Sequence, residues 1–172
     1  NGRRRQRQMC IRDSILAVHC YGNPCNDKAL KAIAAKWGIP VIYDAAHAFG
    51  VTENNKSILN YGSASAVSFH ATKVFNTFEG GMVVVGSDEK KTEVDRLKNF
   101  GLDPGFAYIG PGINAKMSEL NAAVGLCQLK YIKSLITERK NIDSNYRTRL
   151  SDQVGITLYQ YRPEIVPNYS YF

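Results

Sequence analysis

The amino-acid sequence predicts an α/β fold in which a central, mostly parallel sheet is flanked by helices. Short apolar runs typical of buried strands recur along the chain, a helical pattern separates the first two, and a long helical pattern begins at Ser118. A composition of 44% hydrophobic and 22% charged residues excludes a wholly disordered chain. The apolar runs are too short to cross a bilayer, so we expect no membrane association.

The first predicted unit is a strand, a helix and a second strand. The first strand begins at Ile15 and runs into a turn rich in Gly and Pro. Asn26 or Asp27 caps a helix with apolar residues at helical spacing, which ends near Trp37. The next apolar run ends at Asp44. This order predicts a parallel βαβ unit with Asp44 at the carboxyl edge of its second strand.

The middle of the chain alternates between loops and regular elements. Small residues over 46–50 predict a helix or coil, and polar residues over 54–56 predict a turn. Strands are predicted over 64–70 and 82–85, separated by a polar and aromatic loop that closes in a glycine pair. A helix is predicted over 88–100.

The last third of the chain is predicted to be mainly helical. In the helix predicted over 88–100, Val94 and Leu97 are expected to face inward. Ser118 caps a strong helix that is expected to continue, with a bend, to about Leu150. One further strand is predicted over 155–158.

These patterns divide the chain into three parts. We interpret residues 1–14 as a non-native or disordered basic leader, residues 15–136 as part of a large α/β domain, and residues 137–172 as a linking helix and the start of a small C-terminal domain. The first strand has nothing before it, and the last element is unfinished. We therefore expect a chain truncated at both ends, with exposed sheet edges.

The positive charge is concentrated in the leader. Residues 1–14 hold five arginines and one acid, a net charge of +4, whereas the other 158 residues carry +3 of the formal +7. A short Arg run can bind nucleic acid or act as a localisation tag. Basic residues do not continue as a stripe through the remaining sequence, so we predict no nucleic-acid partner.

The four cysteines do not form a metal-binding pattern. Cys20 and Cys25 are separated by four residues, and no CxxC pair is present. We therefore predict no metal site. With no export signal in the sequence, we expect free thiols and a cytoplasmic location.

Asp44 is a candidate site residue because of its position. An acid at the carboxyl end of a buried parallel strand lies where open α/β sheets bind ligands. The alternative is that Asp44 caps the following helix, and position alone does not separate the two. A GxGxxG fingerprint and a GxxxxGK[ST] loop are both absent, which argues against dinucleotide binding and an ordinary nucleotide triphosphatase.

Lys73 is the second candidate. It follows a predicted strand and lies near Ser68, His70 and Thr72, an environment that can lower the pKa of an amine and so favour a Schiff base. Taken alone, Lys73 is more simply a surface lysine in a loop. Together with Asp44, it offers an amine for an aldehyde and a carboxylate for a pyridinium nitrogen, the groups that pyridoxal phosphate requires.

Four sequence blocks, in order, then resemble a known family. The blocks are VIYDAAHAFG (41–50), SFHATK (68–73), EGGMVV (79–84) and GINAKMSELNAA (112–123). They resemble the DegT/DnrJ/EryC1/StrS family of sugar-nucleotide aminotransferases, which have the fold-type I, aspartate aminotransferase-like fold. Residues 15–136 would then be part of the domain that binds pyridoxal phosphate.

The resemblance implies a role for each of five residues. Lys73 matches the lysine that forms the Schiff base and later moves the proton, and Asp44 matches the acid that keeps the pyridine nitrogen protonated. His47 falls near the cofactor's phenolic oxygen, and Ser68 matches a hydroxyl on its phosphate. Asn114 matches an asparagine that reaches the cofactor phosphate of a neighbouring subunit, which implies a homodimer with shared active sites.

The resemblance also implies an activity. Members transfer an amino group, with glutamate as the expected donor, to a nucleotide-linked keto-deoxy sugar, as in the biosynthesis of lipopolysaccharide or O-antigen. Lys73 argues against the dehydratase-type members, in which a histidine replaces the lysine. The alternative is a catalytically incompetent fragment, or a non-catalytic module of the same fold that binds cofactor or sugar nucleotide.

Overall fold

The computed structural model describes residues 13–172. The predicted basic leader therefore lies outside the described residues except for Asp13 and Ser14, which have no regular structure. Four helices and seven strands are present in the described part of the chain. No helix in this range combines the length and the apolar character that a bilayer crossing requires.

The predicted βαβ unit is confirmed. Strand β1 (Ile15–Val18) pairs in parallel with β2 (Val41–Asp44), and helix α1 (Asp27–Trp37) connects them. The Asn26 side chain accepts a hydrogen bond from the Ala29 main-chain N–H at 3.1 Å and so caps the helix. Gly38 ends α1 in the left-handed conformation that glycine adopts without strain.

The central sheet has four strands, in the order β1, β2, β5, β6. Strand β5 (Ala64–Ser68) is parallel to β2, whereas β6 (Gly81–Val85) runs antiparallel to β5. The prediction of a mostly parallel sheet is therefore confirmed, with an antiparallel strand at one edge. The strand predicted over 64–70 ends two residues early, at Ser68.

A small antiparallel sheet lies beside the central one. Its strands are β4 (Lys56–Ser57), β3 (Thr52–Glu53) and β7 (Ile165–Val166), in that order. Asn54 and Asn55 form the turn between β3 and β4, and both have positive φ, the conformation of a tight two-residue hairpin. The polar turn predicted over 54–56 thus contains only these two residues, because Lys56 already pairs in β4.

The C-terminal half is helical, with one error in the prediction. Helices α2 (Asp88–Leu97), α3 (Glu119–Leu129) and α4 (Ile132–Leu150) are present, and the expected bend falls between α3 and α4. The predicted strand over 155–158 is wrong: this stretch is a turn followed by irregular chain. Strand β7 forms later because Ile165 and Val166 find a partner in β3.

Two further local predictions change. Residues 46–50 form turns and no helix. Leu97 does not face inward, since it is a largely exposed residue of α2, while Val94 is half-buried. Helix α2 contains no buried residue, so its apolar positions do not form part of the core in the described chain.

The core lies in two clusters. One packs α1 against the sheet through Ala34, Val41 and Tyr43. The larger cluster surrounds the loop after β2 and contains Ala45, Ala48, Val51, Ile58, Leu59, Val67, Phe69, Phe75 and Ile165. The chain that follows the carboxyl end of β2 is therefore packed firmly, which holds in place the side chains it carries.

Candidate active site

Asp44 lies at the carboxyl end of β2, between β1 and β5. Its partners in register are Val18 and Ala66. One carboxylate oxygen, Oδ1, accepts a hydrogen bond from the main-chain N–H of Ala46 at 3.0 Å. No helix follows directly, so Asp44 stabilises a turn and does not cap a helix. The described residues donate no hydrogen bond to Oδ2, which leaves that oxygen available to a ligand.

The loop 45–51 positions His47 beside Asp44. Ala45, Ala48 and Val51 anchor this loop in the core, while His47 is half-buried. Burial lowers the pKa of His47, and the nearby Lys73 ammonium lowers it further, whereas the Asp44 carboxylate raises it. The loop that carries His47 packs against the loop that carries Lys73 through the rings of Phe49, Phe69 and Phe75.

Ser68 ends β5 on the same side of the sheet as Asp44. Asp44 pairs with Ala66, and Ser68 follows two residues later, so all three side chains lie on one face. The Ser68 hydroxyl accepts a hydrogen bond from the His70 N–H at 3.3 Å. Opposite Ser68, Gly81 lets β6 approach closely, since a Cβ there would lie 2.6 Å from the carbonyl oxygen of Val67.

Lys73 lies in the loop between β5 and β6 and is half-buried. Its N–H donates to the His70 carbonyl at 2.9 Å, and its own carbonyl accepts from the Asn76 side chain at 3.4 Å. The next two residues, Val74 and Phe75, are buried. The lysine is therefore carried by a folded loop whose main chain is anchored directly after it.

Three phenylalanines connect the Lys73 loop to the His47 loop. Phe49 stacks on Phe75 with ring centroids 4.4 Å apart, and Phe69 meets both rings edge to face. Aromatic clusters of this kind fix the relative position of the segments that carry them. The sequence analysis assigned these residues no role.

His70, Thr72 and Glu79 form a separate polar group at the surface. The Nδ1 atom of His70 lies 3.0 Å from the Thr72 hydroxyl, and its Nε2 lies 3.7 Å from a Glu79 carboxylate oxygen. Both partners of this ion pair are exposed. Glu79 thus faces His70, and the described contacts do not bring it to Lys73.

Asn114 is not brought to the other four predicted site residues. It lies on an exposed segment and forms an isolated bridge with Asn99. Its side-chain oxygen accepts a hydrogen bond from the Lys116 amine at 2.8 Å. The same amine lies 4.1 Å from the centroid of the Phe100 ring. In the described chain, Asn114 is therefore part of a projecting surface segment.

The structure adds three residues around His47 that the sequence analysis missed. Tyr21 and Tyr171 lie beside the imidazole, with centroids 5.9 and 4.9 Å from it, and Asn168 binds the main chain of the loop. Of these three residues, only Tyr21 lies in a feature that the sequence predicted, the turn after the first strand.

The described residues do not include a metal-binding cluster. No group of three or more His, Cys, Asp or Glu side chains between residues 13 and 172 is arranged to hold an ion. Cys20, Cys25 and Cys127 are free thiols, as expected, while Cys10 lies outside the described residues.

The sequence matches one family model along nearly its whole length. Residues 7–171 match the model of the DegT/DnrJ/EryC1/StrS aminotransferase family. Two curated relatives carry the name dTDP-4-amino-4,6-dideoxy-D-glucose transaminase. The one from Shigella dysenteriae is 49% identical over 159 residues, and the one from Escherichia coli is 44% identical over 160 residues.

A solved structure supports the same relationship. The crystal structure of DesI with its TDP-sugar product superposes on 99% of this chain with a TM-score of 0.86 and 32% identity. The match covers 44% of the DesI chain. Each curated relative is matched over 92% of this chain and 43% of its own length. The chain thus spans less than half the length of the proteins it resembles.

Proposed function

The chain belongs to the DegT/DnrJ/EryC1/StrS aminotransferase family, and from this membership we propose that it forms part of a pyridoxal phosphate-dependent aminotransferase. The acceptor is a nucleotide-linked keto-deoxy sugar, a class supported by the names of the two curated relatives and by the TDP-sugar in the DesI structure. Glutamate is the proposed amino donor. The product would be an amino sugar for polysaccharide biosynthesis.

The observation that supports this proposal is that Asp44 and Ser68 lie on one face at the ends of adjacent parallel strands. The loops that follow these strands carry His47 and Lys73 and pack against each other through three phenylalanine rings. An amine, a carboxylate oxygen without a described donor and a nearby hydroxyl form the donor set that pyridoxal phosphate requires. Ser68 supplies that hydroxyl from the same sheet face as Asp44. The residues present therefore fit the cofactor.

Each residue has a distinct proposed task. When bound, the cofactor supplies an electron sink for the carbon that loses a proton. Asp44 accepts a hydrogen bond from the pyridinium N–H and keeps that nitrogen protonated. Lys73 would hold the cofactor covalently through Nζ, and its free amine would move the proton. His47 would contact the phenolic oxygen, and Ser68 would donate a hydrogen bond to the phosphate.

The exposed segment around Asn114 fits an intersubunit role. Residues 111–118 are all exposed, and no described hydrogen bond joins Asn114 to Lys73. We assign Asn114 to the cofactor phosphate of a second subunit, in a homodimer with shared active sites. Residues 15–136 would form part of the cofactor domain, and 137–172 the linking helix and the start of the small domain. We place the enzyme in the cytoplasm.

The decisive experiment maps the covalent attachment. The full-length protein that contains this chain is purified with pyridoxal phosphate, reduced with borohydride and digested. We expect mass spectrometry to place the pyridoxyl group on Lys73. In Lys73→Ala, the visible absorbance of the bound cofactor and the transamination of a dTDP-linked keto sugar should both be lost, because no other group can take over the covalent bond.

A matched control uses a lysine on the other side of the sheet. Lys36 is an exposed residue of α1, and Lys36→Ala should retain both the absorbance and the activity. A coloured, active Lys73→Ala protein would contradict the assignment. A parent protein that takes up no cofactor would favour the non-catalytic module instead.

A further inference from the structure

Asn168 is a buried side chain with every hydrogen-bonding group engaged. It is 2% exposed. Its amide nitrogen donates to the carbonyl oxygens of His47 and Phe49, both at 2.8 Å. Its amide oxygen accepts from the main-chain N–H of Ser170 at 3.1 Å and from the Ser170 hydroxyl at 2.8 Å. One side chain thus joins the loop 45–51 to the C-terminal segment 167–172.

The two carbonyl oxygens to which Asn168 donates belong to a loop without regular structure. Residues 45–50 form turns, so strand or helix pairing does not satisfy the carbonyls of His47 and Phe49. A buried carbonyl without a donor is unfavourable. Loss of the Asn168 amide would therefore favour a rearrangement of this loop, and His47 would move with it.

Gly22 packs against the same carbonyl. It has a φ of +84°, and a Cβ there would lie 2.8 Å from the His47 carbonyl oxygen and 3.3 Å from the Asn168 Oδ1. The turn at Gly22 therefore lies close to both the His47 carbonyl and the Asn168 side chain. Any side chain at position 22 would crowd these two groups and strain the turn.

The imidazole of His47 is contacted by the same C-terminal segment. The Tyr171 hydroxyl lies 3.4 Å from Nε2. Tyr21 completes a surface cluster in which its ring lies 4.9 Å from that of Tyr171, and both rings border His47. The segment 167–172 thus contacts both the main chain and the side chain of one predicted cofactor residue.

The segment is itself held in place by neighbouring elements. Strand β7, directly before it, pairs with β3, and Arg139 of α4 reaches the carbonyl oxygens of Tyr169 and Ser170 at 3.5 Å. Tyr169 has a φ of +54°, which a bulky residue adopts only when its surroundings enforce it. A segment held this tightly can fix the position of the loop it contacts.

We propose that Asn168 is a positioning residue of the cofactor site: it fixes the loop 45–51 and thereby places His47 against the cofactor. The proposal rests on the proposed function, because it concerns the placement of His47 in that site. It also gives the C-terminal segment a direct part in building the site, although that segment carries no residue predicted to touch the cofactor.

The test measures cofactor affinity in the full-length protein. Cofactor-free protein is titrated with pyridoxal phosphate, and binding is followed by visible absorbance. Asn168→Ala removes both donors and should weaken binding by about 10-fold, with an altered absorbance band, because a displaced contact group loses much of its effect. Asn168→Asp replaces the donors with a carboxylate against two carbonyls and should weaken binding at least as much.

Two controls separate positioning from a general loss of stability. Ser170→Ala removes the hydroxyl bond to Asn168 Oδ1 and a long hydroxyl contact to the His47 carbonyl oxygen at 3.4 Å. Both amide donors of Asn168 remain, so affinity should change less than about 2-fold. Ala34→Gly, in the distant core under α1, should lower the melting temperature of the cofactor-free protein without altering the absorbance band. If it weakens cofactor binding as much as Asn168→Ala does, the positioning role is wrong.

A second variant tests the proposal if the Asn168 variants do not fold. Gly22→Ala places a methyl group against the His47 carbonyl oxygen and should also weaken cofactor binding. An unchanged affinity and absorbance band in a folded Gly22→Ala protein would overturn the proposal. A Lys73→Ala protein that keeps its covalent cofactor would instead refute the proposed function, so the two failures are distinguishable.

Discussion

The two faces of the central sheet differ in both burial and content. Side chains alternate between the faces along each strand. On one face Val41, Tyr43, Ser65 and Val67 are all buried, and Tyr43 is 0% exposed. On the other face Leu16 is 71% exposed, and Val18 and Val83 are at least half exposed. Asp44 lies on this second face because it pairs with Val18, and Ser68 does so because it lies two residues after Ala66, the partner of Val83.

Residues that form the core therefore alternate with residues of the candidate site along the same strands. Tyr43 packs in the core, while its neighbour Asp44 is available to a ligand. A substitution on the covered face should change stability, whereas one on the open face should change chemistry or association. The following expectations test this division.

Among these variants, Asp44→Asn should have the largest effect. It should lower the activity and leave the stability unchanged. The amide oxygen can still accept the Ala46 N–H bond that Oδ1 receives, so the turn should survive. An amide cannot hold the pyridinium proton, and transamination by the full-length enzyme should fall about 1,000-fold. The matched variant Asp27→Asn alters the covered side, where Asp27 accepts the Tyr43 hydroxyl bond at 2.9 Å. It should lower the melting temperature and spare the activity.

His19 extends the covered face and should make stability depend on pH. It is 1% exposed and stacks on Tyr43, and its Nδ1 accepts the Cys25 N–H. Burial lowers its pKa from 6.5 to about 4, against the opposing effect of Asp27, Asp44 and Glu53. The unfolded chain therefore binds a proton between these pH values that the folded chain does not.

The sign of this dependence follows directly. The stabilisation is complete above pH 6.5 and is lost as the pH falls toward 4, a loss of about 3 kcal/mol. Unfolding by urea at pH 7.5 and at pH 4.5 should show a smaller loss on acidification in His19→Gln than in the parent. Equal losses in the two proteins would refute the role of His19.

Val67→Ala probes packing on the covered face. Val67 is buried next to Ala45 and Phe69 in the larger core cluster, and removing two methyl groups should lower the free energy of unfolding by about 2 kcal/mol. Its neighbour on the open face, Ala66, is exposed, so Ala66→Ser should change stability by less than about 0.5 kcal/mol. Similar losses in the two variants would contradict the division between the faces.

Leu16→Lys should have the smallest effect on folding but a visible one on association. The open face gives the 172-residue chain a band of exposed apolar side chains, and such surfaces favour self-association. We expect the isolated chain to associate and to bind pyridoxal phosphate weakly. Leu16→Lys should raise the monomer fraction in sedimentation experiments, whereas Trp37→Lys, at an equally exposed site on α1, should not. A monomeric parent would refute this expectation.

Most of the fold could be predicted from local sequence patterns. The turn and cap signals around α1 and the apolar runs of β1, β2, β5 and β6 predicted the central sheet correctly. The strand predicted over 155–158 was wrong because a strand needs a partner as well as β-forming residues, and Ile165 and Val166 found one in β3. The prediction that Leu97 faces inward from α2 was wrong for a similar reason, because in the described chain no buried residue packs against it.

The sequence could nominate site residues only where a residue's role depends on its own type and position. Asp44 and Lys73 combine a reactive group with the end of a strand, which a sequence shows. Asn168 has an ordinary sequence context, and its importance comes from a contact with His47, 121 residues earlier. Such a contact leaves no local pattern, so sequence reasoning passed over it.

The bond between Asn168 and the His47 loop also orders events in time. The two residues are separated by 121 positions, and a ribosome adding 5–20 residues per second needs roughly 10 s to cover that distance. During this interval β1, β2 and α1 are already synthesised, yet the two carbonyls of the loop still lack their donor. The chain up to β6 is thus synthesised well before Asn168, and the two carbonyls of the His47 loop can receive the Asn168 amide only after that residue has emerged.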